Sequence, residues 1–195
     1  PAKIRDGRED EIRECIGCNI CRAANNEGVH LRCTQNPTIA EEWRRGWHPE
    51  RIAAFPGREK ALVVGAGPAG LEAALSLGRR GLEVTLAERQ PKLGGRLLTE
   101  STLPGLSTWI RVRDWRQHMI AKLPNVQVFP ASEMTAEDIA GFGADHVVLA
   151  TGARWRRDGI GVNGMEPLHL PGALTPDDIF AGAAITGRHC TCPEH

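Results

Sequence analysis

Four cysteines crowd one stretch, ECIGCNICRAANNEGVHLRC, running from Glu14 to Cys33. Cys15, Cys18 and Cys21 follow one another at steps of three, and Cys33 stands apart. Thiolates are soft ligands, and two kinds of centre take four of them: tetrahedral zinc and an iron–sulfur cubane. Zinc ribbons bring two separated C-x-x-C knuckles, each pinching one ion. Three cysteines in succession instead wrap one side of a larger object, and a remote fourth closes the last iron. Cys15, Cys18, Cys21 and Cys33 therefore read as ligands of a [4Fe–4S] cluster. Gly17 supplies permissive backbone between them, and structural zinc stays open as the alternative. Cys190 and Cys192, a C-x-C near the end of the chain, receive no role.

A second motif follows in VVGAGPAG. Gly65, Gly67 and Gly70 make G-x-G-x-x-G, with Pro68 and Ala69 between the last two. The motif sits between a strand pattern and a helix pattern, which is the context it needs. Gly65 allows the tight turn, Gly67 lets backbone approach a pyrophosphate, and Gly70 lets helix and strand pack closely. The helix N-terminus then stabilises the phosphates. Glu88 closes the next strand, where an acid accepts hydrogen bonds from the adenosine ribose hydroxyls. Its charge disfavours a 2′-phosphate, although Arg89 stands beside it. The motif by itself fits FAD, NAD and ADP alike.

No other constellation competes. His30, His48, His118, His146 and His169 are scattered, without an H-E-x-x-H or a G-x-S-x-G partner, and read as surface or packing residues. The tryptophans read mostly as core or cover.

The elements that must position these residues can be read from periodicity. Residues 8–14 read as a short polar helix. PTIAEEWRRG reads as a helix capped by Thr38, with Glu41 completing a capping box and Gly46 at its end. HPERIAAFPGREK (48–60) reads as a linker. Beyond it, KALVVGAG, LEVTLAER, NVQVF and DHVVLATG read as strands. They alternate with helices over PAGLEAALSLGRRG, STWIRVRDWRQHMIAKL and TAEDIAGFG. That order argues for an α/β fold, a parallel sheet with helices on its faces.

Composition sets outer bounds. The chain has 195 residues, 41% hydrophobic and 25% charged, enough for one or two domains with a true core. Lys+Arg 24 balances Asp+Glu 24, so no net field draws it to nucleic acid or an anionic membrane. No apolar run nears the roughly 20 residues of a bilayer span. A bridged secreted scaffold would be smaller and poorer in core, so a reduced, cytoplasmic setting is expected. The opening, without Met and inside a charged stretch, and the irregular close lead us to expect a piece of a longer protein. The expected division is a cluster-binding segment over 1–58, a nucleotide-binding domain over 59–185 and an irregular tail over 186–195.

These residues together resemble a known family. CIGCNIC, then CTQNPTIAEEWRRGWHPE, VVGAGPAG, LGGRL and VVLATGARW resemble the trimethylamine, dimethylamine and histamine dehydrogenase group of iron–sulfur flavoproteins. That group is related to old yellow enzyme and to 2,4-dienoyl-CoA reductase. The resemblance covers about residues 3–180, and RRGWHPE and ATGARW look more like the amine dehydrogenases than the reductases. It implies a (β/α)8 barrel carrying FMN, absent from this chain, and a partial Rossmann-like sheet of FAD/NAD(P)-binding type after the cysteine-rich segment. It implies that the four cysteines hold a [4Fe–4S] cluster and that Gly65, Gly67, Gly70 and Glu88 hold ADP or FAD. Gly94 and Gly95 match a second phosphate-side loop, with Arg96 able to meet an anion, and Thr151 and Gly152 match a turn at which such proteins change domain. Two electron-flow readings follow. In an amine dehydrogenase, electrons pass from FMN through the cluster to an electron-transferring flavoprotein, from a full-length homodimer. In an FAD- and NAD(P)H-dependent reductase the flow runs the other way. A zinc-stabilised nucleotide-binding module is the non-enzymatic reading. Trp115, among Arg111, Arg113, Asp114 and Arg116 and off the apolar stripe of Trp109, Ile110, Met119, Ile120 and Leu123, is expected to be exposed and to dock the flavoprotein acceptor, with cover for a neighbouring domain as the alternative.

Overall fold

The computed structural model describes residues 2–41, 52–160, 166–167 and 172–183. Among the described residues the N-terminal part carries two short helices, α1 (Ala2–Arg5) and α2 (Ile20–Asn26), and one 3-10 turn at Glu9–Glu11. There follow β1 (Lys60–Val64), α3 (Pro68–Arg79), β2 (Glu83–Ala87), α4 (Leu97–Glu100) and a 3-10 turn at Ser107–Ile110. Next come α5 (Arg111–Ala121), β3 (Val126–Phe129), α6 (Ala136–Gly141), β4 (His146–Leu149) and α7 (Pro176–Phe180).

The four strands are parallel, in the order β3-β2-β1-β4. Alternation along each strand aligns Val128, Leu86, Val63 and Val148 in one row across the sheet. That row meets Leu71, Ala74 and Leu75 of α3 and Trp115, Met119 and Ile120 of α5, which together form the main core. Every strand and helix expected beyond residue 59 is present, with ends trimmed by a few residues.

Residues 1–152 form one compact unit, so the cysteine-rich segment and the sheet belong to the same body. The joint is partly apolar. Ile16, between the first two cysteines, is buried against Leu97 of α4 and Val112 of α5, and its carbonyl accepts from the Thr108 hydroxyl at 3.1 Å. Phe55 of the linker packs on the core, and its N–H donates to Arg80 O at 2.7 Å. The second unit begins at Ala153. Within it α7 is capped by a reciprocal Thr175–Asp178 box, and Arg157 Nη2 lies 2.5 Å from the Asp178 carboxylate. The expected tail over 186–195 lies outside the described residues.

Three readings are corrected. The polar helix over 8–14 is only the Glu9–Glu11 turn, because its backbone serves other partners: Glu11 O accepts from Lys3 Nζ at 2.6 Å and from Trp115 Nε1 at 3.1 Å. The helix from Thr38 is replaced, in its described part, by turns. Asn36 Oδ1 takes the Thr38 N–H and hydroxyl, and Ala40 is left-handed at φ 62. Residues 42–46 lie outside the described residues.

The third correction concerns Trp115. Its side chain is 7% exposed, inside the core. The inward face of α5 is Val112, Trp115, Arg116, Met119 and Ile120, rotated from the expected stripe. The arginines that suggested a docking surface are engaged by carboxylates, Arg111 by Glu14, Arg113 by Asp114 and Arg116 by Glu72, and the Trp115 ring has cations of its own. Arg13 stacks 3.9 Å from its centroid, with Arg79 and Arg116 further out, while Arg113 Nε turns to Asp114 at 2.7 Å. A buried ring cannot serve as an exposed anchor.

Candidate functional site

The carboxyl ends of parallel strands point to one edge of the sheet, and a crevice forms there. Its volume is about 150 Å³, and it is lined by Val64 and Gly65 after β1, by Ala87, Glu88 and Arg89 after β2, and by Ala150 and Thr151 after β4. Ser132, Glu133 and Met134, from the loop after β3, complete the lining and were not singled out from sequence. Their signal was positional: they follow the carboxyl end of a strand.

Each fingerprint glycine has a separate geometric reason. Gly65 is left-handed at φ +99, and a Cβ on it would lie 2.4 Å from Ala150 O. A Cβ on Gly70 would lie 1.8 Å from Gly65 O, so helix and strand touch there through backbone alone. Gly67, the N-cap of α3, meets nothing within 4 Å. Its open side, with the N-terminal amides of a 12-residue helix behind Pro68 and Ala69, is a cradle for an anion. Gly94 and Gly95 close it from beside: Gly94 N–H donates to Ala66 O at 2.8 Å, and a Cβ on Gly95 would sit 3.2 Å from Gly67 Cα. Arg96 sets its Nε 3.0 Å from the Glu100 carboxylate. Gly152 is left-handed at φ 82, just after the crevice.

Glu88 is 7% exposed, and its carboxylate accepts from Ala66 N–H at 2.6 Å and from Gln90 N–H at 2.8 Å. It thus fixes the glycine turn from across the crevice, a task the sequence did not reveal. A carboxylate has about four lone-pair sites, so two bonds leave acceptor capacity on the crevice side. The residues fit an adenine dinucleotide or diphosphate.

The four cysteines are free thiols, with Cys15 and Cys21 exposed and Cys18 and Cys33 half-buried. The loop that carries them is held by left-handed Gly17 and Asn19, and Cys21 falls in the first turn of α2. Backbone N–H groups point at sulfur from Gly17 to Cys15 at 3.4 Å and from Gln35 to Cys33 at 3.3 Å. The Thr34 hydroxyl lies 3.3 Å from Cys18 Sγ, which brings the fourth cysteine's loop against the second cysteine. Burial pushes the Cys18 thiol up, but hydrogen bonds from the Thr34 hydroxyl and from the Ile20 and Thr34 amides outweigh it and leave the pKa below its ordinary value. Among the described residues no group of three or more His, Cys, Asp or Glu side chains gathers as a single-ion site. Donor chemistry is what fits: four unpaired thiols, with amides directed at sulfur as thiolates require.

Residues 22–102 and 59–178 match the pyridine nucleotide-disulphide oxidoreductase family. The chain belongs to that family. Among its relatives in this family, dimethylamine dehydrogenase from Hyphomicrobium sp. (strain x) is 43% identical over 96% of the chain. The solved structure of histamine dehydrogenase from Rhizobium sp. 4-9 superposes with a TM-score of 0.85 at 53% identity, over 93% of this chain and 27% of that one. That of 6-hydroxypseudooxynicotine amine oxidase from Pseudomonas geniculata N1 gives 0.86 at 48%, over 93% of this chain and 28% of that one. The resemblance to the amine dehydrogenase group is met by these relatives. The chain spans about a quarter of the length of the dimethylamine dehydrogenase it matches, 27%. No helix among the described residues is long and apolar enough to cross a membrane.

Proposed function

We propose that this chain is the nucleotide-binding and electron-transfer portion of an amine-dehydrogenase-type oxidoreductase. The observation that carries the reading is that one compact unit joins four free thiols to a glycine-lined crevice. Cys15, Cys18, Cys21 and Cys33 would hold a [4Fe–4S] cluster, which supplies one-electron transfer between a flavin and an external acceptor. Gly65 to Gly70, with Gly94 and Gly95 alongside, would seat the pyrophosphate of ADP or FAD, and Glu88 the ribose hydroxyls. Arg89 and Arg96 stand near enough in sequence to meet phosphate charge. FMN, the amine substrate and the homodimer contacts belong to the longer protein, and the acceptor is an electron-transferring flavoprotein. Trp115 has no part in its docking.

The match to a pyridine nucleotide family also supports a second reading, an FAD- and NAD(P)H-dependent reductase segment. The bound nucleotide separates the two. Purified full-length protein, made anaerobically with ample iron, should carry about four irons per chain and a reducible paramagnetic signal. Cys18→Ser should lose both. Extraction yielding ADP supports the dehydrogenase and FAD the reductase. One zinc per chain without visible absorption would overturn the cluster, and absence of any adenine nucleotide would overturn the crevice assignment.

A further inference from the structure

Among the described residues of the first unit, two buried polar side chains lie away from the nucleotide crevice, Gln35 at 3% exposure and Arg116 at 4%. A guanidinium taken out of water is costly unless its donors are met. Arg116 on α5 directs Nε to the Glu72 carboxylate at 2.6 Å, and Nη1 to Gln35 Oε1 at 3.0 Å and to Val112 O at 2.8 Å. Gln35 is engaged at every polar group. Its Nε2 donates to Glu14 O at 3.1 Å, its N–H donates to Cys33 Sγ at 3.3 Å, and its carbonyl accepts from Arg13. Glu72 belongs to α3, the helix that follows the glycine turn.

Stability alone does not ask for this arrangement, since well-packed apolar residues of similar volume serve a core as well or better. What the chain of bonds adds is register. Gln35 follows Cys33 closely, and Glu14 immediately precedes Cys15, so the Gln35 amide ties the loop of the remote cysteine to the loop of the first. We infer that Gln35 and Arg116 are positioning residues of the thiolate site: Gln35 sets Cys33 against Cys15, and Arg116 fixes Gln35 to α3 through Glu72. The inference rests on the cluster reading above, and it adds the residues that hold the ligands in place.

Outer partners of metal ligands typically change metal affinity by roughly 10- to 100-fold when removed. The test uses the full-length protein with Gln35→Leu, Gln35→Glu and Arg116→Met. Gln35→Glu keeps an oxygen for Arg116 but places a carboxylate oxygen against Glu14 O. The readouts are the rate at which chelator with ferricyanide bleaches the cluster absorption, the paramagnetic spectrum of the reduced cluster, and bound adenine nucleotide. All three variants should bleach roughly 10- to 100-fold faster, with an altered spectrum, while nucleotide stays at the wild-type level. If Arg116→Met loses nucleotide together with iron, Gln35→Glu decides alone: fast bleaching with nucleotide retained upholds the role. Wild-type bleaching in both Gln35 variants overturns it. A wild-type protein that carries no cluster at all overturns the underlying reading instead, and so the two failures are told apart.

Discussion

Gly67 and Gly70 belong to one fingerprint but answer to different forces. At Gly70 the limit is internal, because an added methyl would drive into the Gly65 carbonyl at 1.8 Å. At Gly67 it is external: φ is an ordinary −70, and nothing of the protein lies within 4 Å of an added Cβ. Gly70→Ala should therefore destabilise the fold by about 1–3 kcal/mol or more, as overpacking does. Gly67→Ala should melt with the nucleotide-free wild type and yet lose the extracted nucleotide, because its methyl stands where a pyrophosphate approaches. Thermal unfolding and nucleotide extraction on the two variants check this, and Gly67→Ala retaining full nucleotide would sink the pyrophosphate assignment. The fingerprint was legible in sequence because backbone geometry alone sets its spacing. The second task of Glu88 was not legible. Nothing in the string of letters says that a carboxylate at a strand end also takes the Ala66 amide at 2.6 Å.

Helix α5 shows what periodicity gives and where it stops. The span was readable from the recurrence of apolar residues, but the inward face was misread because Trp115 and Arg116 lie among charged neighbours. Their partners come from far along the chain: Trp115 Nε1 donates to Glu11 O, and Arg116 is met by Glu72 and Gln35. No local window contains those residues. The same contacts explain why residues 9–14 stay on the sheet unit with only the Glu9–Glu11 turn for regular structure. Asp10 adds to them at the surface: hydrogen bonds from Lys122 and then His118 hold its carboxyl down at about 2. A depressed carboxylate favours the folded form above its ordinary value of 3.8 and loses that contribution as pH falls through about 2. Trp115→Ala should cost about 3–5 kcal/mol, the range for removing a large core aromatic. Trp115→Phe keeps most of the packing and drops one N–H bond, for about 0.5–1.5 kcal/mol. Its effect should be local, seen as faster hydrogen exchange over residues 9–14 with the strands unchanged. Uniform loss of protection across the sheet would show instead that the ring only fills space.

At the scale of the molecule, the feature least legible from sequence is strand β4. DHVVLATG reads as a strand, and its apolar letters do not tell that Val147 is 45% exposed and Leu149 67%. Val148, facing α3 and α5, is the one apolar residue of the strand that packs on the main core. Letters alone report that a strand is apolar, not which part of a protein covers it. Among the described residues β4 pairs only with β1, so its outer edge offers backbone donors and acceptors beside two apolar side chains. Such an edge is a template for pairing with another chain. The relatives are about four times longer, at 27% coverage, and in a longer protein of that kind the additional chain would be the natural cover. This gives Leu149→Lys opposite signs in two settings. In the isolated 195-residue chain the charge should blunt the edge, lowering self-association at micromolar concentration and the binding of apolar dyes. In the full-length protein the same charge would be forced under cover, and the melting temperature should fall. Sedimentation of the isolated chain and thermal unfolding of the full-length protein measure the two effects. An isolated chain that is monomeric and dye-silent before substitution, or a full-length protein indifferent to Leu149→Lys, would mean that β4 is a finished edge and needs no neighbour.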